Sequence, residues 1–370
     1  MGTPVHVRNS ILPLDPGTGN SPPTGQGFYR LVSLNQTPPK TVSHMLNLPA
    51  TVHPYAEQSV PPSSLVRTVG EASINNHRAT LGRVLFYDRR LSLDNSVSCA
   101  SCHRQDRAFA EDSNFSLGHV GVKTTRNTVS LTHIRNYVKG GGIFWDGRRS
   151  VLEDAVIDPV VHPDEMGASL ESLVTKTSAE PYYQSLFTNA FGTSVATKER
   201  VATALGDFIE AMTTFGSRYD QGTANRFVSF TPQELAGKDL FSSRCASCHP
   251  LGNFTTGGFA NNGLELNYSD RGRAALTGLP QHEGQFRIPS LRQVALSAPF
   301  MHDGRFATLR EVIEFYDRGI VAHPNLTVPL TATPMNLTKA QKDSLEAFLN
   351  TLTDASIQTR TEFSDPFRID

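Results

Sequence analysis

The sequence predicts a mainly α-helical protein of two similar units, with long loops and an extended N-terminal arm. Three observations carry that reading. The pentapeptide Cys-Ala-Ser-Cys-His occurs twice, from Cys99 to His103 and from Cys245 to His249, and each copy follows a Leu-Phe pair, Leu85-Phe86 and Leu240-Phe241. Apolar residues recur at helical spacing behind recognisable helix starts. The 370 residues include 28 Gly and 23 Pro, which is the composition of a loop-rich globular chain rather than of long uninterrupted elements.

Residues 1–60 are dense in Pro, Ser, Thr and Asn, with the pairs Pro22-Pro23, Pro38-Pro39 and, just beyond, Pro61-Pro62. Proline fixes its own φ and gives up a donor, so this stretch reads as an extended arm, with His6, His44 and His53 at its surface. The first unit is expected over 61–225. It opens with the apolar run from Leu81 to Tyr87, a short helix or turn leading to the first motif. A core helix closes it from Thr197 to Phe215, where Val201, Leu205, Phe208, Ile209 and Met212 share one face and Gly216 stops the helix. Arg218 to Ser229 then reads as a linker.

The second unit is expected over 226–370. Thr231-Pro232-Gln233-Glu234 is a helix start, with a Thr cap, Pro at the first helical position and Glu reaching back. The Gly- and Asn-rich stretch from Asn253 to Gly284 predicts a long loop. Thr308 to Glu311 caps a helix ending near Tyr316. Thr338 to Gln341 caps a last amphipathic one through Leu345, Phe348, Leu349 and Leu352.

The duplicated pentapeptide states the chemistry. Two thiols three positions apart can each join a vinyl group of one haem, and the imidazole that follows can then ligate its iron, so Cys99, Cys102 and His103 hold one haem c and Cys245, Cys248 and His249 a second. All 4 cysteines of the chain are used in this way. The competing reading is a structural zinc site built from the two Cys pairs, but zinc ribbons set their pairs much closer in sequence and need no His after each. A net charge of −1 gives no basic footprint for nucleic acid. No run approaches the roughly 18 apolar residues of a membrane helix, so no integral membrane segment is expected. Covalent haem attachment in bacteria follows export, so a periplasmic location is expected, with the leader peptide absent from this chain and Met1-Gly2 standing in its place.

Further residues extend the pattern: Arg126-Asn127-Thr128, Phe144-Trp145-Asp146-Gly147-Arg148, Pro163-Asp164-Glu165-Met166, and the run from Pro299 through Met301 and His302 to Leu309. With the two haem motifs, these resemble the bacterial dihaem cytochrome c peroxidase family that also contains MauG, from about Leu81 to the end of the chain. The resemblance implies two cytochrome-c-like domains, with peroxide taken at the N-terminal haem and electrons entering at the C-terminal one. It implies that Trp145, the single Trp, lies between the haems and helps electrons pass, and that Glu165 is the acid-base group beside the peroxide haem. His119 stands at the spacing from His103 where these peroxidases carry a displaceable distal His, within the loop from Ser116 to Gly121.

Tyr316 matches the position that gives the second iron a Met in the peroxidases and a Tyr in MauG; Met335, His323 and Met301 are further candidates for that iron. Ala155 departs from the family, which commonly has glutamine there. A calcium ion between the haems is implied, held by the Asn127 side chain and the carbonyls of Ser297 and Pro299. The implied partners are hydrogen peroxide, a small electron-donor protein such as a cytochrome c or a cupredoxin, and a second copy of the chain in a homodimer. Two alternatives accompany the peroxidase: MauG-like oxidation of residues on a partner protein through a high-valent dihaem state, and a non-catalytic electron carrier.

Overall fold

The computed structural model describes residues 46–59, 74–138 and 141–367. Most of the N-terminal arm, including His6 and His44, lies outside them. The fold is mainly α. Its framing helices are α1 (Asn76–Tyr87), α2 (Cys99–Cys102), α3 (Leu170–Ala179), α4 (Pro181–Phe191), α5 (Lys198–Ala211), α6 (Pro232–Arg244), α7 (Leu309–Glu314) and α8 (Lys339–Asn350). Among the described residues the only sheet is a two-stranded antiparallel pair, β1 (Phe259–Ala260) with β2 (Phe286–Arg287).

Two helix crossings repeat one design. In the first, α1 crosses α5 where Gly82 has no side chain, and a Cβ there would overlap the carbonyl of Ala204. In the second, α6 crosses α8 where Gly237 meets the carbonyl of Ser344 in the same way. One helical turn beyond each glycine stands a Phe. Phe86 packs edge-on to Phe208 at 5.4 Å between ring centroids, and Phe241 packs against Phe348 at 5.1 Å. A third ring completes each set: Phe109 lies 5.9 Å from Phe86, and Phe254 lies 5.9 Å from Phe241. The Leu-Phe repeat of the sequence is therefore the visible part of a five-residue repeat in space.

Helix ends follow their caps. The Asn75 side chain accepts from the backbone N–H of His77 and Arg78, so α1 begins five residues before the apolar run that predicts it. Thr231–Glu234, Thr308–Glu311 and Thr338–Gln341 all form reciprocal capping boxes. Two expectations are corrected. Helix α5 stops at Ala211 rather than Phe215, because the Met212 carbonyl turns away to accept from the His133 N–H at 3.2 Å. The expected linker contains a helix, Arg218–Ala224, opened by a Ser217–Asp220 capping box.

The packing also departs from the expected boundaries. Leu46 and Tyr55, at the end of the arm, are buried in the first core, and His53 is half-buried beside Tyr55. Tyr219 belongs to the second core. The chain's end returns to the first unit, where Ile357 and Phe363 are buried. That return is fixed by polar bonds: Tyr55 donates to the Glu362 carbonyl at 2.8 Å, Tyr87 to the Phe363 carbonyl at 2.6 Å, and Arg83 Nε to the Ser364 carbonyl at 2.6 Å.

Helix α7 runs on as a π-helical stretch, Phe315–Gly319, which carries Tyr316. Its anchor is the next residue, Asp317, whose side chain is fully buried and accepts from Leu337 N–H at 2.9 Å and pairs with Lys342 at 2.8 Å. Burial alone would raise this carboxyl. The hydrogen bonds from Lys342, Leu337 and Arg318 outweigh burial and hold it at about 2. A depressed carboxyl contributes stability that is present above its unfolded value and lost as pH falls through its folded one. Thermal melts should therefore show the wild type losing stability between about pH 4 and pH 2, and Asp317→Asn should lack that acid-dependent part.

Candidate active site

Each attachment motif opens on its own cavity. The first, of about 860 Å³, is lined by Cys99, Cys102 and His103 from α2 and the turn after it; the second, of about 410 Å³, is lined by Cys245, Cys248 and His249. Both volumes suit a bound cofactor. A single zinc cage is excluded, because the two Cys pairs face different cavities, and among the described residues no group of three or more His, Cys, Asp or Glu could hold a metal.

The proximal histidines are prepared alike. His103 Nδ1 lies 2.8 Å from the Phe109 carbonyl, and His249 Nδ1 lies 2.9 Å from the Phe254 carbonyl. A carbonyl only accepts, so Nδ1 carries the proton in both rings and Nε2 keeps its lone pair for iron. Burial lowers His103 to about 4 and lowers His249 too, against the raising effect of those carbonyls. Both rings are thus neutral at neutral pH. Phe109 and Phe254 adopt φ of 58° and 56°, so each turns its carbonyl back toward its histidine from a left-handed backbone. Neither residue stands out in the sequence, where the one signal is an aromatic residue soon after each motif.

The first cavity also brings together Glu165, Trp145, Arg126 and Ala155. Glu165 is about one-third exposed, and burial raises its carboxyl, opposed by His162, whose Nδ1 lies 3.8 Å from Oε1. Ala155 is buried in the wall, where it offers no polar group. His119 is not in that wall. Its Nε2 donates to the Pro163 carbonyl at 3.0 Å, its Nδ1 faces Asp94 at 3.6 Å, and its side chain is 7% exposed. The ring fits over Gly167, where any Cβ would strike it.

Trp145 and Asn127 line both cavities. The indole N–H donates to the Asn127 carbonyl at 2.8 Å, which fixes the ring between the two chambers. Arg126 ties the same seam together, bonding Asp146 and Asp270 at 2.6 Å each. Asn127 Nδ2 donates to the carbonyls of Ser113 and Asn114, leaving its side-chain oxygen as an acceptor, and Ser297 and Pro299 share the second cavity's wall with it.

Of the four residues considered for the second iron, Tyr316, Met301 and Met335 line the cavity, whereas His323 does not. His323 Nδ1 is engaged by Asn261 and by Asn325 N–H. Burial pushes the Tyr316 phenol up to about 12, partly offset by Asn262, whose Nδ2 donates to the phenol oxygen at 3.3 Å and also lies 3.6 Å from Met301 Sδ. Asn262 was missed in the sequence, where it is one Asn in a Gly- and Asn-rich loop.

Residues 76–226 match the family model described as di-haem cytochrome c peroxidase. The chain is 32% identical over 279 residues to the methylamine utilization protein MauG of Methylorubrum extorquens, covering 74% of this chain and 78% of that protein. It belongs to the di-haem cytochrome c peroxidase family. It is similar also to the cytochrome c551 peroxidase of Nitrosomonas europaea, 30% identical over 249 residues, 66% of this chain and 74% of that one. Among solved structures, a MauG-like protein associated with microbial copper homeostasis superposes with a TM-score of 0.73 at 31% identity, over 86% of this chain and 99% of that one. The diheme peroxidase BthA from Burkholderia thailandensis gives 0.67 at 28% identity, over 79% and 90%. As a member of the family, the protein is a peroxidase-class oxidoreductase that carries two haems, and the two cavities with their neutral histidines fit that pair. No described helix is long and apolar enough to cross a membrane.

Proposed function

We propose that the protein reduces hydrogen peroxide to water in the cavity of His103, drawing two electrons, one at a time, from a small redox protein such as a cytochrome c or a cupredoxin by way of the cavity of His249. When bound, each haem supplies an iron that changes oxidation state and, where its outer face is open, takes peroxide. The protein's own residues do the rest. With peroxide bound, Glu165 would carry a proton from one peroxide oxygen to the other, so that the O–O bond breaks with loss of one water; the second oxygen would leave as water once the two donor electrons and two solvent protons have arrived. Trp145 stands between the chambers, held by its bond to the Asn127 carbonyl. The observation that carries this reading is that one indole lines both cavities.

His119, pinned to Pro163 and Asp94 outside the cavity wall, leaves the first chamber open beside Glu165. This favours a first haem that is ready for peroxide without a ligand being displaced. Two cytochrome-c-like domains, a periplasmic location and a homodimer complete the reading. So does one calcium ion held by the Asn127 side chain and the Ser297 and Pro299 carbonyls, and a protein that contains no calcium as purified and takes up none when calcium is added would strike the ion from the reading. The deciding experiment adds peroxide to the oxidised and half-reduced holoprotein with reduced cytochrome c or cupredoxin. Two donor molecules oxidised per peroxide support the proposal. Spectra indifferent to peroxide in both states would leave a plain electron carrier.

Tyr316 favours a second reading, MauG-like oxidation of residues on a partner protein. A phenolate stabilises ferric iron, whereas a thioether favours ferrous. Tyr316→Met is accordingly expected to raise the potential of the second haem, and an unchanged potential takes Tyr316 off the iron. A long-lived oxidised spectrum of both haems after peroxide, without donor, would identify this second activity.

A further inference from the structure

Three arginines line the second cavity, and they differ in what they bond. Arg292 is saturated: both its Nη atoms reach Asp220 at 3.0 Å and its Nε reaches the Gly252 carbonyl at 2.9 Å. Arg244 is exposed. Arg287 is 3% exposed, and its Nη2 has no partner. Its other donors are committed, Nε to the Phe144 carbonyl at 2.9 Å and Nη1 to the Gly257 carbonyl at 3.1 Å, while its backbone N–H donates to the Trp145 carbonyl at 2.8 Å. The rings of Tyr137 and Phe259 each lie 4.8 Å from its Cζ and hold the guanidinium plane.

The charged or titratable groups facing Arg287 are Tyr137, Arg273 and Asp146, with Arg244, Cys245, Cys248, His249, Arg292, His302 and Tyr316 elsewhere along the same wall. Among the described residues no carboxylate lies within ion-pair distance of it. A buried guanidinium without an anion is costly, and an unfilled N–H adds to the cost. The site is built for an anion that arrives with the bound group, and a haem carries two propionate carboxylates at its edge.

We propose that Arg287 Nη2 anchors a propionate of the haem held on His249, and so ties that haem to the main chain of Phe144 and Trp145. The same guanidinium that grips the relay segment then grips the cofactor, which fixes their separation. This rests on the haem assignment of Cys245, Cys248 and His249 and not on the use of peroxide.

The test is the midpoint potential of the second haem, measured optically on the holoprotein from pH 5.5 to 8.5. A guanidinium remains charged across that range and keeps its carboxylate ionised, so the wild-type profile should be flat. In Arg287→Gln the propionate stays in a dry wall without its cation, binds a proton more readily and takes one up on reduction. Its potential should then fall with pH, approaching a tenfold change in the reduction equilibrium per pH unit, or ~59 mV for one electron. At pH 8 the equilibrium should lie about tenfold further toward the ferric form than in wild type, since a positive charge has been lost. Arg273→Gln, which changes the cation lying over the same Phe259 ring but outside the cavity wall, should keep the flat profile. An Arg287→Gln profile that superimposes on wild type overturns the anchor. Should that variant fail to retain haem, the wild type and Arg287→Lys decide: flat profiles in both support it, and a tenfold slope per pH unit in the wild type overturns it. No reading in this set uses peroxide, so its failure and that of the peroxidase proposal are separable.

Discussion

Glu165→Gln is expected to slow peroxide turnover by about 10²- to 10⁴-fold while both haems remain bound. Glutamine preserves the shape of the side chain in the first cavity but cannot take and return a proton. The stability effect should run the other way. Burial raises the Glu165 carboxyl, so the folded protein binds that proton more tightly than the unfolded chain does. Its favourable contribution is complete at low pH and is lost as pH rises through the raised value, which makes the charged carboxylate a mild burden at neutral pH. The variant should therefore melt at the same temperature as wild type or slightly higher. In the wild type, turnover should fall as pH drops through the same carboxyl, because the proton-accepting form disappears. Stopped-flow mixing of the half-reduced protein with peroxide, beside a thermal melt, checks both. Turnover unaffected by the change removes Glu165 from the chemistry, and a large joint loss of turnover and stability makes it a packing residue.

The second large effect concerns folding. Gly82→Ala and Gly237→Ala should each destabilise their unit by ~3 kcal/mol or more, because overpacking has no soft neighbour to displace: the obstacle is a backbone carbonyl on the facing helix. For a chain of 370 residues melting as one, that corresponds to a thermal midpoint lower by roughly 4 °C. The damage should pass to the cofactor. Separating α1 from α5 moves Phe86, whose ring packs on Phe109, whose carbonyl orients His103; separating α6 from α8 does the same through Phe241 and Phe254 to His249. Each substitution should weaken the haem in its own unit first, read as a changed absorption band at that site. Melts indistinguishable from wild type would mean the helices slide apart at little cost, and the shared design would lose its energetic meaning.

Much of this was legible in the sequence, for identifiable reasons. The attachment motifs are local, since five consecutive residues contain all the chemistry of attachment and proximal ligation. Capping boxes are also local, which is why Thr231, Thr308 and Thr338 mark helix starts at the right residues. What stayed hidden depends on contacts between distant segments. The carbonyls of Phe109 and Phe254 act through backbone conformation, which side-chain patterning does not report. The end of α5 is set by a bond to His133, far away in sequence, and the helix after Ser217 lay in a stretch too polar to read as one. His119 was placed by spacing alone, and spacing could not reveal that Pro163, Asp94 and Gly167 form a seat for its ring outside the cavity wall. Arg287 stands between Phe286 and Ile288 in a short segment with no recognisable pattern, and its unpaired donor is visible only in the folded cavity wall.

The return of residues 355–367 to the first unit has a consequence for biosynthesis. Ile357 and Phe363 fill the core around Tyr55, Phe109 and Phe208, and Asn47 N–H bonds the Pro366 carbonyl at 2.6 Å, so the two ends of the described chain meet on one side of the protein. The core of the first unit cannot close until residues 355–367 have been made, whereas the second core, whose last buried member is Leu352, needs none of them. A nascent chain halted before Ala355 would then present a complete second module beside an open first one, with its porphyrin pocket still exposed to solvent.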